Sequence, residues 1–424
     1  MLDLKFIRQF PDKVKENIKK RNDSVDIDAL LKLDEERRNL ETDLSTLKAL
    51  RNKLSPQIGQ MIKAGEDVSK IKAEVQEANQ KIKTIEPLLT EVQEKLDAIL
   101  YMIPNICHPE SPVGGESANK VIKEWGNKTV FDFPVKDHKQ LGTLHDIIDE
   151  ERAVKVSGSG FIAVKGKGAR LERALINFFL DTHTEKNGFT EIVPPVLVNS
   201  DSMFGTSQLP KFKDQSYYIV EDDLFVIPTA EVPVTNLHRD ETLQEKQLPI
   251  SYCAYTPCFR REAGSYGTGV KGFLRTHQFN KVEMVKITHE DESENALQQL
   301  VTHATDLLEQ LNIPYRVLDL ATGDMGFGAS RCFDIEVWSP AENKYLEASS
   351  CSNFLDFQSR RLNLRYKKKD GTMAFAHTLN GSGLATSRLY VALLENNQDA
   401  NGNIIIPEVL HQYTGFKSIE KNAV

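Results

Sequence analysis

Four short stretches of this chain gather residue types suited to holding phosphates, a carboxylate and an ammonium group. The first runs from Cys258-Phe259-Arg260-Arg261-Glu262 through a glycine-rich connection to Phe273-Leu274-Arg275-Thr276-His277-Gln278-Phe279-Asn280-Lys281-Val282-Glu283. It reads as a hairpin. Alternation along strands puts Arg260 and Glu262 on one face of the first strand, and Arg275, Phe279 and Glu283 on one face of a second strand over 274–287. Guanidinium forks match phosphate and carboxylate oxygens, an aromatic ring offers a stacking surface, and a carboxylate accepts from an ammonium group. Gly264, Gly267, Gly269 and Gly272 leave the connection free to close over a ligand. From spacing alone, an exposed ladder of salt bridges accounts for the same charges.

The second stretch, Pro228-Thr229-Ala230-Glu231, follows a short strand over 224–227 and has the look of a helix start, with Thr229 and Glu231 within reach of a small polar ligand. The third is Leu346-Glu347-Ala348-Ser349-Ser350-Cys351-Ser352-Asn353, whose carboxylate and hydroxyls are hard oxygen donors suited to Mg2+ bound with ATP. A solvent-facing turn explains it equally well. The fourth, Asn380-Gly381-Ser382-Gly383-Leu384-Ala385-Thr386-Ser387-Arg388, reads as a glycine loop opening a helix one turn before Arg388, a place that favours anions.

Two kinds of segment must position these groups. At 424 residues the chain exceeds what one hydrophobic core usually serves, which predicts two domains. In the first, Leu30, Leu33, Arg37, Leu40, Leu44, Leu47, Arg51 and Leu54 step by three and four along one helix face. After a break at Ser55-Pro56 and a turn near Gly65, Ile71, Val75, Ala78, Ile82, Ile85, Leu89, Val92, Leu96 and Ile99 repeat the pattern. Two such helices with a short connection run antiparallel, as a hairpin roughly 45 Å long. Pro87 should kink the second helix. A linker marked by Pro104, Pro109, Pro112, Gly114 and Gly115 separates residues 1–105 from 106–424. Beyond it, short strands interleave with helices, including one over 171–184, which predicts an α+β domain on a mainly antiparallel sheet flanked by helices.

Charge and cysteine content narrow the options. The formal net charge is −8, the wrong sign for a nucleic-acid binder overall. Local basic clusters offset this: Lys13, Lys15, Lys19, Lys20 and Arg21, then Arg360, Arg361, Arg365, Lys367, Lys368 and Lys369. Cys107, Cys253, Cys258, Cys332 and Cys351 are scattered, which argues against a disulfide framework and a structural zinc site. Met1–Phe10 mixes Asp3, Lys5 and Arg8 into its apolar residues, unlike a signal peptide, and no apolar run reaches bilayer length. Residence in the cytoplasm, away from membranes, is the expectation.

Together the four stretches resemble the class II aminoacyl-tRNA synthetases, and the chain resembles the bacterial-type seryl-tRNA synthetases over essentially its whole length. The helix from Leu171 with Gly188-Phe189-Thr190-Glu191-Ile192-Val193-Pro194-Pro195 matches motif one, Phe259–Glu262 motif two, and the helix start ending in Arg388 motif three. The Thr229-Ala230-Glu231 element, the Glu347–Asn353 run and the N-terminal hairpin are particular to the serine family. The resemblance implies activation of L-serine with ATP and Mg2+, then transfer to tRNA(Ser), with tRNA(Sec) a further acceptor, by a homodimer whose helical arm binds the long variable arm and elbow of the tRNA.

It also implies roles. Arg260, Arg275 and Arg388 would be catalytic. Serine would meet Thr229, Ala230, Glu231, Arg260, Glu283 and Ser382. ATP would meet Arg260, Arg261, Glu262, Arg275, Phe279, Glu347, Ala348, Ser349, Ser350 and Arg388, with Glu347 and Ser350 on Mg2+ and Phe279 and Arg388 sandwiching adenine. No zinc is implied, since Thr229-Ala230-Glu231 points away from the methanogen-type relatives that bind serine through zinc. Two other readings stay open: a class II synthetase for another small amino acid such as threonine, proline or glycine, and a non-catalytic tRNA-binding paralogue.

Overall fold

The computed structural model describes residues 1–262 and 272–420. The expected glycines Gly264, Gly267 and Gly269 lie outside the described residues. The chain divides into two compact units, Leu2–Pro104 and Asn105–Val424, the second also including Met1.

The N-terminal unit is helical. Helices α1 (Leu4–Gln9) and α2 (Pro11–Lys20) precede two long ones, α3 (Ile27–Ala64) and α4 (Ser69–Leu100), which pack along each other. Asp26 caps α3 by accepting from the Ala29 N–H. Gly65 ends it at φ 73°, where its own N–H reaches Ile62 O and that of Glu66 reaches Met61 O, a closing pattern that needs a left-handed residue. The predicted stripes are the faces that pack: Leu30, Leu54, Ala78, Ile82, Val92 and Leu96 are buried. The expected break at Ser55-Pro56 is absent, because α3 runs through Pro56. Proline there removes one hydrogen bond at an exposed position, a cost that packing on both sides offsets. The arm helix is therefore 38 residues long, about 57 Å rather than 45 Å. Helix α4 likewise continues through Pro87.

Asp34 ties the base of this unit together. Its carboxylate is fully buried and receives Arg8 at 2.9 Å, Arg37 at 2.9 Å and Arg38 at 3.2 Å. Burial pushes its pKa up, but the arginines outweigh that and hold it below the usual carboxylate range.

The larger unit is built on an eight-stranded sheet. In chain order the strands are β1 (Lys120–Trp125), β2 (Thr190–Glu191), β3 (Ile250–Phe259), β4 (Gln278–Thr288), β5 (Tyr315–Asp319), β6 (Arg331–Ser339), β7 (Lys344–Asn353) and β8 (His377–Ala385). Their spatial order is β1-β5-β6-β7-β8-β4-β3-β2, antiparallel except for the edge pair β2–β3. Helices α5 (Gly166–Asp181), α6 (Glu231–Asn236), α7 (Ser293–Gln310) and α8 (Thr386–Asn396) surround it. Phe178 and Phe179 of α5, Leu300 and Leu307 of α7, and Leu389 and Leu393 of α8 join one core with Val282, Ile335 and Leu379 of the sheet.

Three expected elements differ in detail. The second hairpin strand begins at Gln278, not Leu274, because Gly272–Leu274 form a 3-10 turn. The first strand ends at Phe259, so Arg260 and Glu262 stand beyond it, Glu262 at φ 49°. Gly381 and Gly383 sit inside β8 rather than in a loop. A Cβ on Gly381 would lie 2.9 Å from Cys351 Sγ, and one on Gly383 only 2.3 Å from His183 Nε2, so packing behind the strand excludes side chains there. The basic run near 360–369 is largely spent internally: Arg361 is buried and donates to Phe204 O and Leu209 O, Arg360 pairs with Asp356, and Lys368 with Glu290.

Replacing Asp34 with alanine leaves three arginines facing an empty site. Urea denaturation followed by circular dichroism should show Asp34→Ala costing the helical unit about 2 kcal/mol, since the arginines are partly exposed and can rehydrate.

Candidate active site

One cavity of about 660 Å³ opens over β4, β7 and β8, and nearly all the predicted residues line it: Thr229, Glu231, Arg260, Glu262, Arg275, Phe279, Glu347, Ala348, Ser349, Ser350, Ser382 and Arg388. The hairpin of β3 and β4 supplies the first group. Cys258 faces Phe279 across it, and beyond the strand end the Arg260 N–H still donates to His277 O at 2.9 Å. The His277 ring returns the contact, Nδ1–H donating to Arg260 O at 2.9 Å, while its own backbone N–H donates to Gly160 O at 2.8 Å. This double tie holds Arg260 in place after regular pairing stops. Its guanidinium lies 5.1 Å from the Phe279 ring centroid.

Arg275 and Arg388 complete a cationic rim. Arg275 Nε donates to Glu262 Oε2 at 2.7 Å. Arg388, in the first turn of α8, donates from Nη1 to both the backbone oxygen and Oε2 of Glu347 at 3.0 Å, and from Nε to Leu274 O at 3.3 Å. All four side chains keep part of their surface in solvent, so these pairs can open for a ligand.

Glu347 and Ser350 reach the same wall through an irregularity. Three residues apart on a regular strand, they would point to opposite faces. Against β6, however, Glu336 pairs with Glu347 and Ile335 with Ser349, so Ala348 is an extra residue and the parity flips. Opposite Ser350 stands Asp334, whose carboxyl is pushed well up by burial and by the neighbouring Glu347 charge. The Glu347 carboxylate and the Ser350 hydroxyl give the cavity two hard oxygen donors suited to a divalent cation, with the Asp334 carboxyl off the lining.

At the deep end two carboxylates share one amide. Asn380 Nδ2 donates to Glu231 Oε2 at 3.0 Å and to Glu283 Oε1 at 2.9 Å. Gln358 Nε2 donates to Glu231 Oε1 at 2.7 Å and is itself fixed by the Thr378 hydroxyl. Lys281 pairs with Glu283, both side chains buried. Burial, reinforced by the Glu283 charge, pushes the Glu231 carboxyl up to about 7. An added cation beside Glu231 would find a site already organised to receive it.

Three predicted residues stand off the lining. Arg261, between two residues that face the cavity, is exposed and turned outward. Ala230 is fully buried against Val234, Ala254 and Val285. Glu283 lies one layer behind Lys281 and Asn380. Conversely, Lys281 and Asn380 line the cavity without having been predicted to do so. The alternation Phe279, Lys281, Glu283 was the available signal for Lys281, and Asn380 opens the fourth stretch. Nothing local marks Gln358.

The comparisons agree with this geometry. Residues 1–107 match the family model "Seryl-tRNA synthetase N-terminal domain", and residues 213–397 match "tRNA synthetase class II core domain (G, H, P, S and T)". A serine–tRNA ligase of Chlorobium phaeobacteroides is 52% identical over 99% of this chain and 100% of its own. The crystal structure of seryl-tRNA synthetase from Pyrococcus horikoshii with ATP aligns over 100% of both chains at 38% identity and a TM-score of 0.93. That of the cytoplasmic serine–tRNA ligase from Naegleria fowleri with AMP covers 100% of this chain and 99% of its own, at 27% identity and a TM-score of 0.87.

The buried pair carries a stability consequence. Lys281→Met strands the Glu283 charge and should lower unfolding free energy by about 3 kcal/mol in urea titrations, while Lys281→Met combined with Glu283→Gln should recover most of it. Equal losses in the single and double variants would show that the pairing is not what matters.

Proposed function

The chain belongs to the seryl-tRNA synthetases, and we propose that the cavity over β4, β7 and β8 is where it activates serine with ATP and passes the seryl group to tRNA. Its activity is that of a serine–tRNA ligase. The observation that carries the assignment to this cavity is the meeting of three arginines, a stacking ring and a buried carboxylate in one cavity. ATP and AMP in the two solved relatives support it.

In this reading Arg260 holds the serine carboxylate beside the α-phosphate. Phe279 and Arg388 sandwich adenine, Glu262 meets its edge, and Arg275 grips the γ-phosphate once its pairing with Glu262 opens. Thr229 and Glu231 take the ammonium group, and Ser382 and Asn380 face the side-chain hydroxyl, with Glu283 acting from behind through Asn380 and Lys281. The serine carboxylate attacks the α-phosphorus in line, the α–β bridging bond breaks, and pyrophosphate leaves. A terminal ribose hydroxyl of tRNA then attacks the seryl carbonyl, its proton passes to the leaving phosphate, and AMP departs with the electrons of the mixed-anhydride bond. No enzyme nucleophile is needed, because the attacking carboxylate is already ionised and catalysis rests on positioning and charge stabilisation.

Glu347 and Ser350, both on the cavity lining, would hold Mg2+, with Asp334 paired opposite Ser350 and off the lining. When bound, the ion supplies charge neutralisation to the phosphates. Residues 1–105 form the tRNA-binding part, and 106–424 the catalytic part, of a homodimer acting in the cytoplasm on tRNA(Ser) and tRNA(Sec). The edge strand β2 leading into Val193, 88% exposed, supports a subunit contact there. No helix among the described residues is long and apolar enough to cross a membrane.

ATP–pyrophosphate exchange with serine, threonine, alanine, glycine and proline offered separately tests the assignment: exchange is expected with serine alone. Arg260→Ala should reduce serine-dependent exchange by at least about a hundredfold while leaving tRNA affinity unchanged. Loss of both together would place Arg260 in folding rather than chemistry.

A pH dependence follows from Glu231. Its carboxyl, raised to about 7, is ionised above that pH and protonated below it, and only the ionised form pairs with an ammonium group. The KM for serine in exchange should therefore rise about tenfold between about pH 8 and about pH 6, with the KM for ATP nearly flat. A serine KM independent of pH in this window would assign the ammonium to another partner.

A further inference from the structure

Glu172 lies on α5, outside the main cavity, and does not touch the groups assigned above. Its Oε1 accepts from Asn280 Nδ2 at 2.8 Å and lies 3.0 Å from the Thr386 hydroxyl, which is also 3.2 Å from Asn280 O. Tyr255 OH completes the set by donating to Asn280 Oδ1 at 3.1 Å. Asn280 directly follows Phe279 on β4. Thr386 opens α8, two residues before Arg388. One carboxylate oxygen therefore joins the two elements that carry the two faces of the adenine site.

Packing alone does not fix that site. A second cavity, about 130 Å³, is lined by Phe279 and Ser387 together with Glu172, Asn280 and Thr386. Phe279 thus borders open space in both cavities, and its position depends on how its backbone is held. Main-chain pairing carries the end of β8 alongside β4 as far as Ala385 opposite Lys281, and where that ladder stops the hydrogen bonds to one shared acceptor continue the tie from β4 to the first residue of α8.

We infer that Glu172 is a positioning residue for nucleotide binding, which sets the gap between Phe279 and Arg388 by bridging Asn280 and Thr386. The inference rests on the reading that these two side chains hold adenine. The serine ammonium sits at the opposite end of the cavity, near Glu231, and Arg260, which takes its carboxylate and whose guanidinium lies 5.1 Å from the Phe279 ring centroid, is tied by its main chain to His277 and not through this gap.

Steady-state exchange kinetics with ATP and serine varied in turn test it. Glu172→Ala should raise the KM for ATP about tenfold with the KM for serine within about twofold, and Glu172→Gln, which keeps an acceptor oxygen, should stay within about threefold of the parent. Thr386→Val, nearly isosteric, should raise the ATP KM about threefold, and adding it to Glu172→Ala should produce little further change because both act through one contact. It also serves as the test if Glu172→Ala fails to fold. Equal rises in both KM values, or a fall in kcat alone, would overturn the positioning role. Phe279→Ala separates the two levels of inference. If it raises the ATP KM while Glu172→Ala and Thr386→Val do not, the bridge is wrong and the adenine site stands; if Phe279→Ala has no effect, the adenine assignment falls and the bridge with it.

Discussion

The site is organised around a shortage of positive charge. Glu231 and Glu283 face one Asn380 amide, and only Glu283 has a lysine of its own. Two carboxylates this close in a buried place cannot both ionise cheaply without another cation. Much of the surrounding architecture keeps that imbalance from collapsing: Gln358 braces Glu231 from the side, Thr378 braces Gln358, and the backbone of β8 delivers Asn380 and Ser382 to the cavity. A substrate ammonium bound as proposed would supply the missing charge, and affinity and discrimination would then come from the same unmet demand.

That delivery depends on what lies behind the strand. Side chains at 380 and 382 point forward only because 381 and 383 point back into Cys351 and His183, where a single added carbon would collide. The two glycines thus set how closely the sheet meets its covering layer, and through that the depth at which the polar groups sit. His183, buried and held by Gly383 O at 2.7 Å, keeps its ring neutral, its pKa lowered to about 4 chiefly by burial.

Periodicity made the helical arm legible, because its stripes are long and nothing distant competes with them. It misjudged Pro56, where the pattern of packing on either side overrode a residue that usually breaks helices. In the larger unit, residue types and spacing brought out Arg260, Glu262, Arg275, Phe279, Glu231 and Arg388 as residues of one cavity, since guanidinium and carboxylate groups advertise their chemistry. The reach of strands was less legible: Arg260 and Arg275 stand beyond regular pairing and are held by backbone contacts with His277 and a 3-10 turn. Gln358 and Glu172 were invisible, because each acts through contacts formed only when distant segments meet.

The extra residue Ala348 in β7 has a consequence for how this chain can vary. Along most of a strand, a substitution changes one contact and leaves its neighbours where they were. Here the count of residues itself carries information, since Glu347 and Ser350 share a face only while one residue goes unpaired between their partners. Removing a residue at this point would turn one of the two oxygens away from the cavity without altering its chemical identity, and two changes in length would be needed to return it. Drift in this segment is therefore confined to exchanging side chains at constant length, and a shorter β7 would no longer bring these two oxygens to one face.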